Sequence, residues 1–235
     1  MSTTAAAVET KATARNDLVI STLMAGTAGF VDTCGFVALF GLFTAHVTGN
    51  FVLIGATLAS SRPGIIAKLL AFPEFVVVVA AMQLVLHHCK RSGRDPRQLM
   101  LCGQAVVLTL FLGVGAWASP VRDADSAVAL LIGLLGVSAM AIQNVASRTV
   151  FASLAPTTVM TGNVTQTVMD AVEVALGADA AATAKARLRK MLPPICGFAT
   201  GAIAGGIGFV HLAFWCLMAP VLAILYVAWR SRRAA

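Results

Sequence analysis

Two copies of a polar triplet, Thr48-Gly49-Asn50 and Thr161-Gly162-Asn163, interrupt otherwise apolar sequence. Each copy joins a hydroxyl group and an amide across a glycine, whose backbone can turn sharply. The hydroxyl and the amide can bond the N–H and C=O groups that such a turn exposes. In a membrane, irregular backbone is tolerated only where it is buried in protein or lines a cavity. The triplets are therefore candidates for a solute pathway, and their alternative role is helix packing with bonds to protein alone.

Four more polar side chains precede the triplets: Asp32 and His46 before the first, Gln143 and Asn144 before the second. An ionisable group inside a membrane span is costly and is by default functional. Asp32 is therefore a candidate proton or cation site or a partner for a polar ligand, with a hydrogen bond between helices as the alternative. His46 could relay protons or cap a helix end. The two amides could complete a midplane site or bridge helices, as buried amides commonly do.

These residues define a hypothetical solute or ion path, and no other chemistry is expected. The five cysteines are scattered without a Cys-x-x-Cys pair, so we predict neither a metal site nor a disulfide framework. The chain contains no Gly-x-Ser-x-Gly, His-Glu-x-x-His or phosphate-loop motif, so we expect no enzyme, no catalytic residue and no cofactor. The predicted path consists of Asp32, His46, Thr48, Gly49, Asn50, Gln143, Asn144, Thr161, Gly162 and Asn163.

The composition indicates a membrane protein. Of 235 residues, 58% are hydrophobic and 11% are charged, whereas a soluble domain carries about 25% charged residues. The stretch 18–43 contains one charged residue, Asp32, and is longer than the roughly 20 residues that a span needs. The net charge of +7 lies mainly in loops and at the C-terminus, as orientation determinants do, so no nucleic-acid partner is expected.

The two triplets lie 113 positions apart (161 − 48), which indicates an internal duplication. We predict a disordered N-terminal tail at 1–16, membrane repeats at 17–120 and 121–230, and a basic C-terminal tail at 231–235. The apolar stretches at 47–59 and 158–176 are too short or too polar to span and are predicted to be half-helices. The six predicted full spans are roughly 18–43, 66–86, 99–118, 126–145, 191–209 and 212–229.

The distribution of basic residues predicts the orientation of the chain. If only the six long segments span, most of the basic clusters lie on one side together with both termini. Because cytoplasmic loops carry the excess of Lys and Arg, that side is predicted to be the cytoplasm. Each repeat then has three full spans, an odd number, so the two halves are inverted. Inverted repeats with broken helices at mid-membrane are typical of transporters.

The chain resembles the YoaK-like multipass membrane proteins of bacteria, a family of unknown function. The resemblance runs from about Leu18 to Trp229 and implies an inner-membrane protein, with transport as the function usually considered and no substrate to carry over. It lies in four pieces of sequence: Ala25-Gly26-Thr27-Ala28-Gly29-Phe30-Val31-Asp32, Phe43-Thr44-Ala45-His46-Val47-Thr48-Gly49-Asn50, Ile142-Gln143-Asn144 and Thr157-Thr158-Val159-Met160-Thr161-Gly162-Asn163-Val164-Thr165.

Two functions of different classes remain open. The first is a transporter or channel for a small solute or ion, with the path between the two inverted halves and Asp32, Asn50, Asn144 and Asn163 lining its centre. The alternative is a non-transporting assembly or regulatory protein, in which the same residues lock helices together. The expected partners are the lipid bilayer, a small solute or ion, and a second copy of the chain if the protein is a homo-oligomer.

Overall fold

A computed structural model describes residues 2–60, 63–177 and 180–232 of the chain, with side chains from residue 13 onward. Every regular element in these ranges is helical, as the composition predicts. The α-helices are α1 (Ser2–Ala38), α2 (Gly49–Ser60), α3 (Ile65–Arg91), α4 (Pro96–Ala118), α5 (Ala127–Arg148), α6 (Met160–Ala175), α7 (Ala181–Leu212) and α8 (Met218–Arg232), and a 3-10 helix at Ala213–Leu217 joins α7 to α8.

Five helical stretches within the described residues are long and apolar enough to cross a membrane. The last of them holds both α7 and α8, which the sequence predicts as two spans. In contrast, α2 has only 12 residues and is about 18 Å long at 1.5 Å per residue, well short of a 30 Å hydrocarbon core. The five stretches are Thr13–Ala38, Ile65–Arg91, Pro96–Ala118, Ala127–Arg148 and Ala181–Arg232.

The ends of α1 differ from the predicted ones. The helix stops at Ala38 although the apolar run continues to Phe43. Phe40 and Gly41 have φ values of 54° and 82°, which no right-handed helix accommodates, so hydropathy alone overestimates the span. At its other end α1 begins at Ser2, where a disordered tail is predicted, because the alanine-rich sequence there has high helix propensity.

The helix contacts repeat when the two halves are exchanged. With the 113-residue offset, α1 to α4 correspond in order to α5 to α8. The α1–α7 contact then has its counterpart in α5–α3, the α6–α7 contact in α2–α3, and the α4–α5 contact in α8–α1. The α4–α8 and α1–α5 contacts map onto themselves. This pairing is what a pseudo-two-fold relation between duplicated halves requires.

The α1–α7 contact is the closest in the bundle. A Cβ atom added at Gly201 would lie 2.1 Å from the Gly26 carbonyl oxygen, and one at Gly205 would lie 2.3 Å from the Phe30 oxygen. Each step of four residues on α7 is matched by four residues on α1, so the two helices run parallel. Small residues permit such an approach in membrane helices. Gly201 and Gly205 therefore act as a helix-packing motif.

Contacts between helix ends distinguish two ends of the bundle. At one end, Arg230 of α8 donates to Asn16 of α1, Gln98 of α4 bonds the Ala228 carbonyl oxygen at 3.0 Å, and Arg97 stacks on Phe151, just beyond α5. We call this the basic end, because Arg97 and Arg230 lie there with most of the basic side chains.

The end of α1 and the starts of α3 and α5 lie together at the opposite end of the bundle. Lys68 is 3% exposed, and its ammonium group donates to the carbonyl oxygens of Phe40 and Gly64 at 2.9 Å each. The Gly64 N–H donates to Asp125 at 3.3 Å, just before α5. Since α1 ends and α3 begins at the same end, the segment between them, which includes α2, enters the bundle and returns to the end from which it came.

The core lies around α5, which packs against α1, α3 and α4. Phe111 of α4 is fully buried and meets Phe214 edge-on at 5.7 Å. By contrast, Val77 and Leu84 of α3 and Val52 of α2 remain largely exposed. Exposed apolar side chains in this number suit contact with lipid.

Candidate functional site

Asp32 binds the loop that follows its own helix. Its side chain is 6% exposed, and Oδ1 accepts the N–H groups of Thr44 at 2.8 Å and Ala45 at 2.7 Å. Its Oδ2 lies 2.6 Å from Nδ1 of His46. Asp32 lies six residues before the end of α1, which is about 9 Å along the helix axis. These bonds therefore hold residues 44–46 alongside the last turns of α1, and not beyond its end. The sequence offers Asp32 no basic partner on its own helix, and the loop supplies its hydrogen bonds instead.

His46 bonds Asp32 on one side and packs against α7 on the other. Its side chain is 39% exposed, and its ring meets Phe198 of α7 edge-on at 5.6 Å. With Nδ1–H donated to a carboxylate, the tautomer assigned from the bonding leaves Nε2 as the nitrogen able to exchange a proton with solvent. The carboxylate also holds the orientation of the imidazole ring.

The two triplet asparagines perform the same task in each half. The Asn50 amide donates to the Phe43 carbonyl oxygen at 2.8 Å and accepts the Phe43 N–H at 3.0 Å. The Asn163 amide donates to the Pro156 carbonyl oxygen at 2.7 Å. In each half, the asparagine amide bonds the backbone of the residue seven positions earlier in the chain. Proline has no N–H to donate, so the second half makes one of the two bonds. Each asparagine therefore closes the loop that leads into a short helix.

Gln143 and Asn144 hold the second loop to α5. The buried Gln143 amide accepts from Gln104 of α4 at 2.7 Å and donates to the Thr157 hydroxyl at 3.2 Å. Asn144 donates to the Thr158 hydroxyl at 2.9 Å. The Asn144–Thr158 separation of 14 residues equals the Asp32–His46 separation. Amides therefore replace a carboxylate in anchoring the equivalent loop.

A cavity of about 630 Å³ lies where the two loops meet. Residues 45–48 line it from the first half and residues 158–161 from the second. These two segments are related by the 113-residue offset, so the predicted duplication places equivalent segments on the wall of one cavity. Its volume falls within the 300–1,000 Å³ typical of small-molecule sites. The remaining wall comes from α3 and the end of α5, through Phe72, Phe75, Val79, Gln83, Asn144, Val145, Arg148 and Thr149.

The ten predicted path residues divide between the cavity and its support. Those that line the cavity are His46, Thr48, Asn144 and Thr161. The others do not line it, although Asp32, Asn50 and Asn163 were expected at the centre of a path. Their side chains bond the loop backbone instead. The residues away from the cavity wall are Asp32, Gly49, Asn50, Gln143, Gly162 and Asn163.

Sequence reasoning missed three polar residues. Arg148 and Gln83 line the cavity, but neither belongs to a triplet. Glu74 lies inside the apolar run of α3 and accepts the Ser138 hydroxyl of α5 at 2.6 Å. An ionisable residue within a span is a sufficient signal to single it out. Gln83 and Arg148 carry no such signal, because both lie close to the predicted end of a span.

The cavity occupies only one of two equivalent positions. It is bordered by α3 and α5, whereas the equivalent α1–α7 contact is closed by its glycines. Where α3 packs against α5, at Glu74 and Ser138, α3 has no glycine along its length, and the two helices leave room for the cavity.

The fold is that of a polytopic helical membrane protein. The chain belongs to a family described as protein of unknown function (DUF1275), which matches residues 20–229. It is similar to the UPF0700 transmembrane protein YoaK of Bacillus subtilis (strain 168), with 29% identity over 165 residues, 68% of this chain and 69% of that protein. No solved structure matches the chain. The predicted resemblance to YoaK-like proteins is thus confirmed.

Proposed function

We propose that this protein is a transporter or channel for a small solute in the bacterial inner membrane, with the path between two inverted repeats. The observation that carries the proposal is the cavity formed by equivalent loop segments of the two halves. Substrate sites of repeat-built transporters lie at the repeat interface, where discontinuous helices meet. The cavity has this placement, and the short helices α2 and α6 begin at its wall.

The proposed architecture has six full spans, with α2 and α6 as half-helices. It is supported by the contacts that exchange when the halves are exchanged and by the return of α2 to its end of entry. The basic end faces the cytoplasm in this proposal, because the Lys and Arg excess marks that side. Both termini then lie in the cytoplasm, and the two half-helices enter from opposite faces.

The cavity reaches the last residue of α5 at the basic end, and we propose that it is closed at the opposite end in this conformation. Arg148 is the last residue of α5, and it lines the cavity. At the opposite end, the bonds of Lys68 to Phe40 and Gly64 join α1 to α3. Access would alternate if these bonds break while α5 moves against α3. The glycine contact between α1 and α7 would remain a fixed frame.

A second candidate function rests on a different observation. Asp32, Asn50, Gln143 and Asn163 are at least 96% buried and bond other groups of the protein. Side chains that only lock helices would satisfy this description equally, as in a non-transporting assembly or regulatory protein. The two functions differ in whether solute enters the cavity.

Flux through proteoliposomes tests the proposal. The Thr161→Trp variant places a bulky ring on the cavity wall, while Thr165→Trp places the same ring one turn along α6 at an exposed position outside it. Swelling of proteoliposomes in a panel of small neutral, cationic and anionic solutes is followed by light scattering. We expect at least one solute to enter faster than into protein-free liposomes, with Thr161→Trp blocking entry and Thr165→Trp preserving it. Permeation that both variants preserve equally would exclude this cavity as the path, and no permeation above protein-free liposomes would refute transport.

A further inference from the structure

We infer that the solute of this cavity is a small organic anion with an apolar body; the inference rests on the transport role proposed above. It starts from the charges on the cavity wall. Among the described residues that line the cavity, the cationic groups are Arg148 and, when protonated, His46, and there is no carboxylate. The nearby Asp32 carboxylate is bonded by two backbone N–H groups and His46. The accessible charge in the cavity is therefore positive.

Arg148 is free to bind a ligand. Its side chain is exposed, and it forms no ion pair with any residue that the structure describes. A guanidinium group presents N–H donors in a fork that matches a carboxylate or sulfonate. Thr161 adds a hydroxyl donor to the same wall, whereas the Thr149 hydroxyl already donates to the Val145 carbonyl oxygen at 2.7 Å. This part of the cavity has the donors that an anionic head group requires.

The start of α6 adds to the positive potential near Arg148. Val159 at its N-cap gives no side-chain hydrogen bond to the first turn, and Val159, Met160 and Thr161 line the cavity. Uncapped N–H groups and the helix dipole favour negative charge at this place. They reinforce the preference that Arg148 establishes.

The facing wall is apolar and belongs to α3. Phe72, Phe75 and Val79 line it at helical spacing, and Val47 and Val145 extend it. A strongly hydrated inorganic ion would gain nothing from such a surface, because burying a charge beside apolar groups carries a desolvation cost. An anion with an aromatic or branched aliphatic body gains from burial of apolar area. The combination of one guanidinium end and one apolar wall is what selects an organic anion.

Binding of three probes with one shape tests the inference. Benzenesulfonate is anionic, benzamide is neutral and benzyltrimethylammonium is cationic, and all three carry a phenyl ring. Their affinities for the purified protein in uncharged maltoside micelles are measured by titration calorimetry at fixed ionic strength. We expect benzenesulfonate to bind at least about tenfold more tightly than the other two, equivalent to about 1.4 kcal/mol. Equal affinities, a preference for the cation, or no binding of any probe would overturn the inference.

Two matched variants identify the group responsible. Arg148→Gln removes the charge from the cavity wall, while Arg94→Gln removes one from an exposed loop away from it. We expect Arg148→Gln to reduce benzenesulfonate affinity about tenfold, leaving benzamide affinity and the elution volume in gel filtration unchanged. Arg94→Gln should match wild type. An equal loss of benzenesulfonate affinity in both variants would show that the effect comes from the general surface charge, and it would refute a binding site at Arg148.

The outcomes separate this inference from the transport proposal. Arg148-dependent binding of benzenesulfonate without any flux would support an anion site and refute transport. Suppose that a neutral or cationic solute permeates, that Thr161→Trp blocks its flux, and that benzenesulfonate is not preferred in binding. This result would support transport and refute the inference that the solute is an organic anion.

Discussion

Replacing Asp32 separates the loss of its charge from the loss of its hydrogen bonds. Oδ1 of Asp32 accepts two backbone N–H groups, from Thr44 and Ala45, at 2.8 and 2.7 Å. Asp32→Ala leaves both buried donors without their partner, and each unsatisfied donor costs about 1–3 kcal/mol. The expected total is therefore about 2–6 kcal/mol of unfolding free energy.

Asp32→Asn should cost much less, because its side-chain oxygen can still accept both backbone N–H groups. What is lost is the charge, and a hydrogen bond to a charged group exceeds a neutral one by about 1 kcal/mol. The amide N–H₂ would then face Nδ1 of His46, which becomes an acceptor, so the proton moves to Nε2. The group that His46 offers to the cavity changes from an acceptor to a donor.

The assay is thermal unfolding in maltoside micelles, with Glu173→Gln as a control that neutralises a half-exposed carboxylate paired with Arg187. For a chain of this length, about 1 kcal/mol shifts the midpoint by roughly 2–4 °C. We expect a loss of roughly 4–24 °C for Asp32→Ala, a few degrees for Asp32→Asn, and almost none for the control. If Asp32→Ala unfolds at the wild-type temperature, the carboxylate does not hold the loop. If Asp32→Asn loses as much as Asp32→Ala, the charge matters more than the geometry.

Two further predictions concern the glycine contact and the triplet asparagines. Gly201→Ala places a methyl group against the Gly26 carbonyl oxygen and should lower stability by about 1–3 kcal/mol or more. The control Gly103→Ala adds a methyl group that meets no atom within 4 Å, and it should be neutral in the same unfolding assay. Equal effects of the two variants would contradict the close approach of α1 and α7. Asn50→Ala removes two hydrogen bonds to the backbone and Asn163→Ala removes one. Asn50→Ala should therefore cost about twice the roughly 1–3 kcal/mol of a single unsatisfied group, and a larger loss in Asn163→Ala would refute this assignment.

Much of the fold could be predicted because hydropathy and repetition are properties of the sequence itself. The short helices at the triplets followed from apolar stretches of limited length. The true end of α1 did not, since Phe40 and Gly41 are as apolar as the helix that precedes them. Only their backbone conformation, with positive φ at both residues, ends the helix there.

The site was harder to predict because its geometry depends on partners distant in sequence. Composition indicates that Asp32 is costly in a membrane, but it cannot show that residues 44–46 fold back to satisfy it. The cavity position depends on Gly201 and Gly205 closing one of two equivalent contacts, and no single motif reports that difference. The place of Arg148 on the cavity wall could not be predicted either, because that wall is formed by residues far from it in the sequence.

Water access to the wall of the cavity tests the central claim most directly. In a protein without its native cysteines, Thr161→Cys lies on that wall, while Ala139→Cys on α5 is fully buried in the core. Both are treated in inside-out vesicles with a membrane-impermeant maleimide, and labelling is measured by mass shift. A water-filled path that reaches the basic end predicts rapid labelling of position 161 and none of position 139. A position 161 as unreactive as position 139 would contradict a solute path between the two repeats.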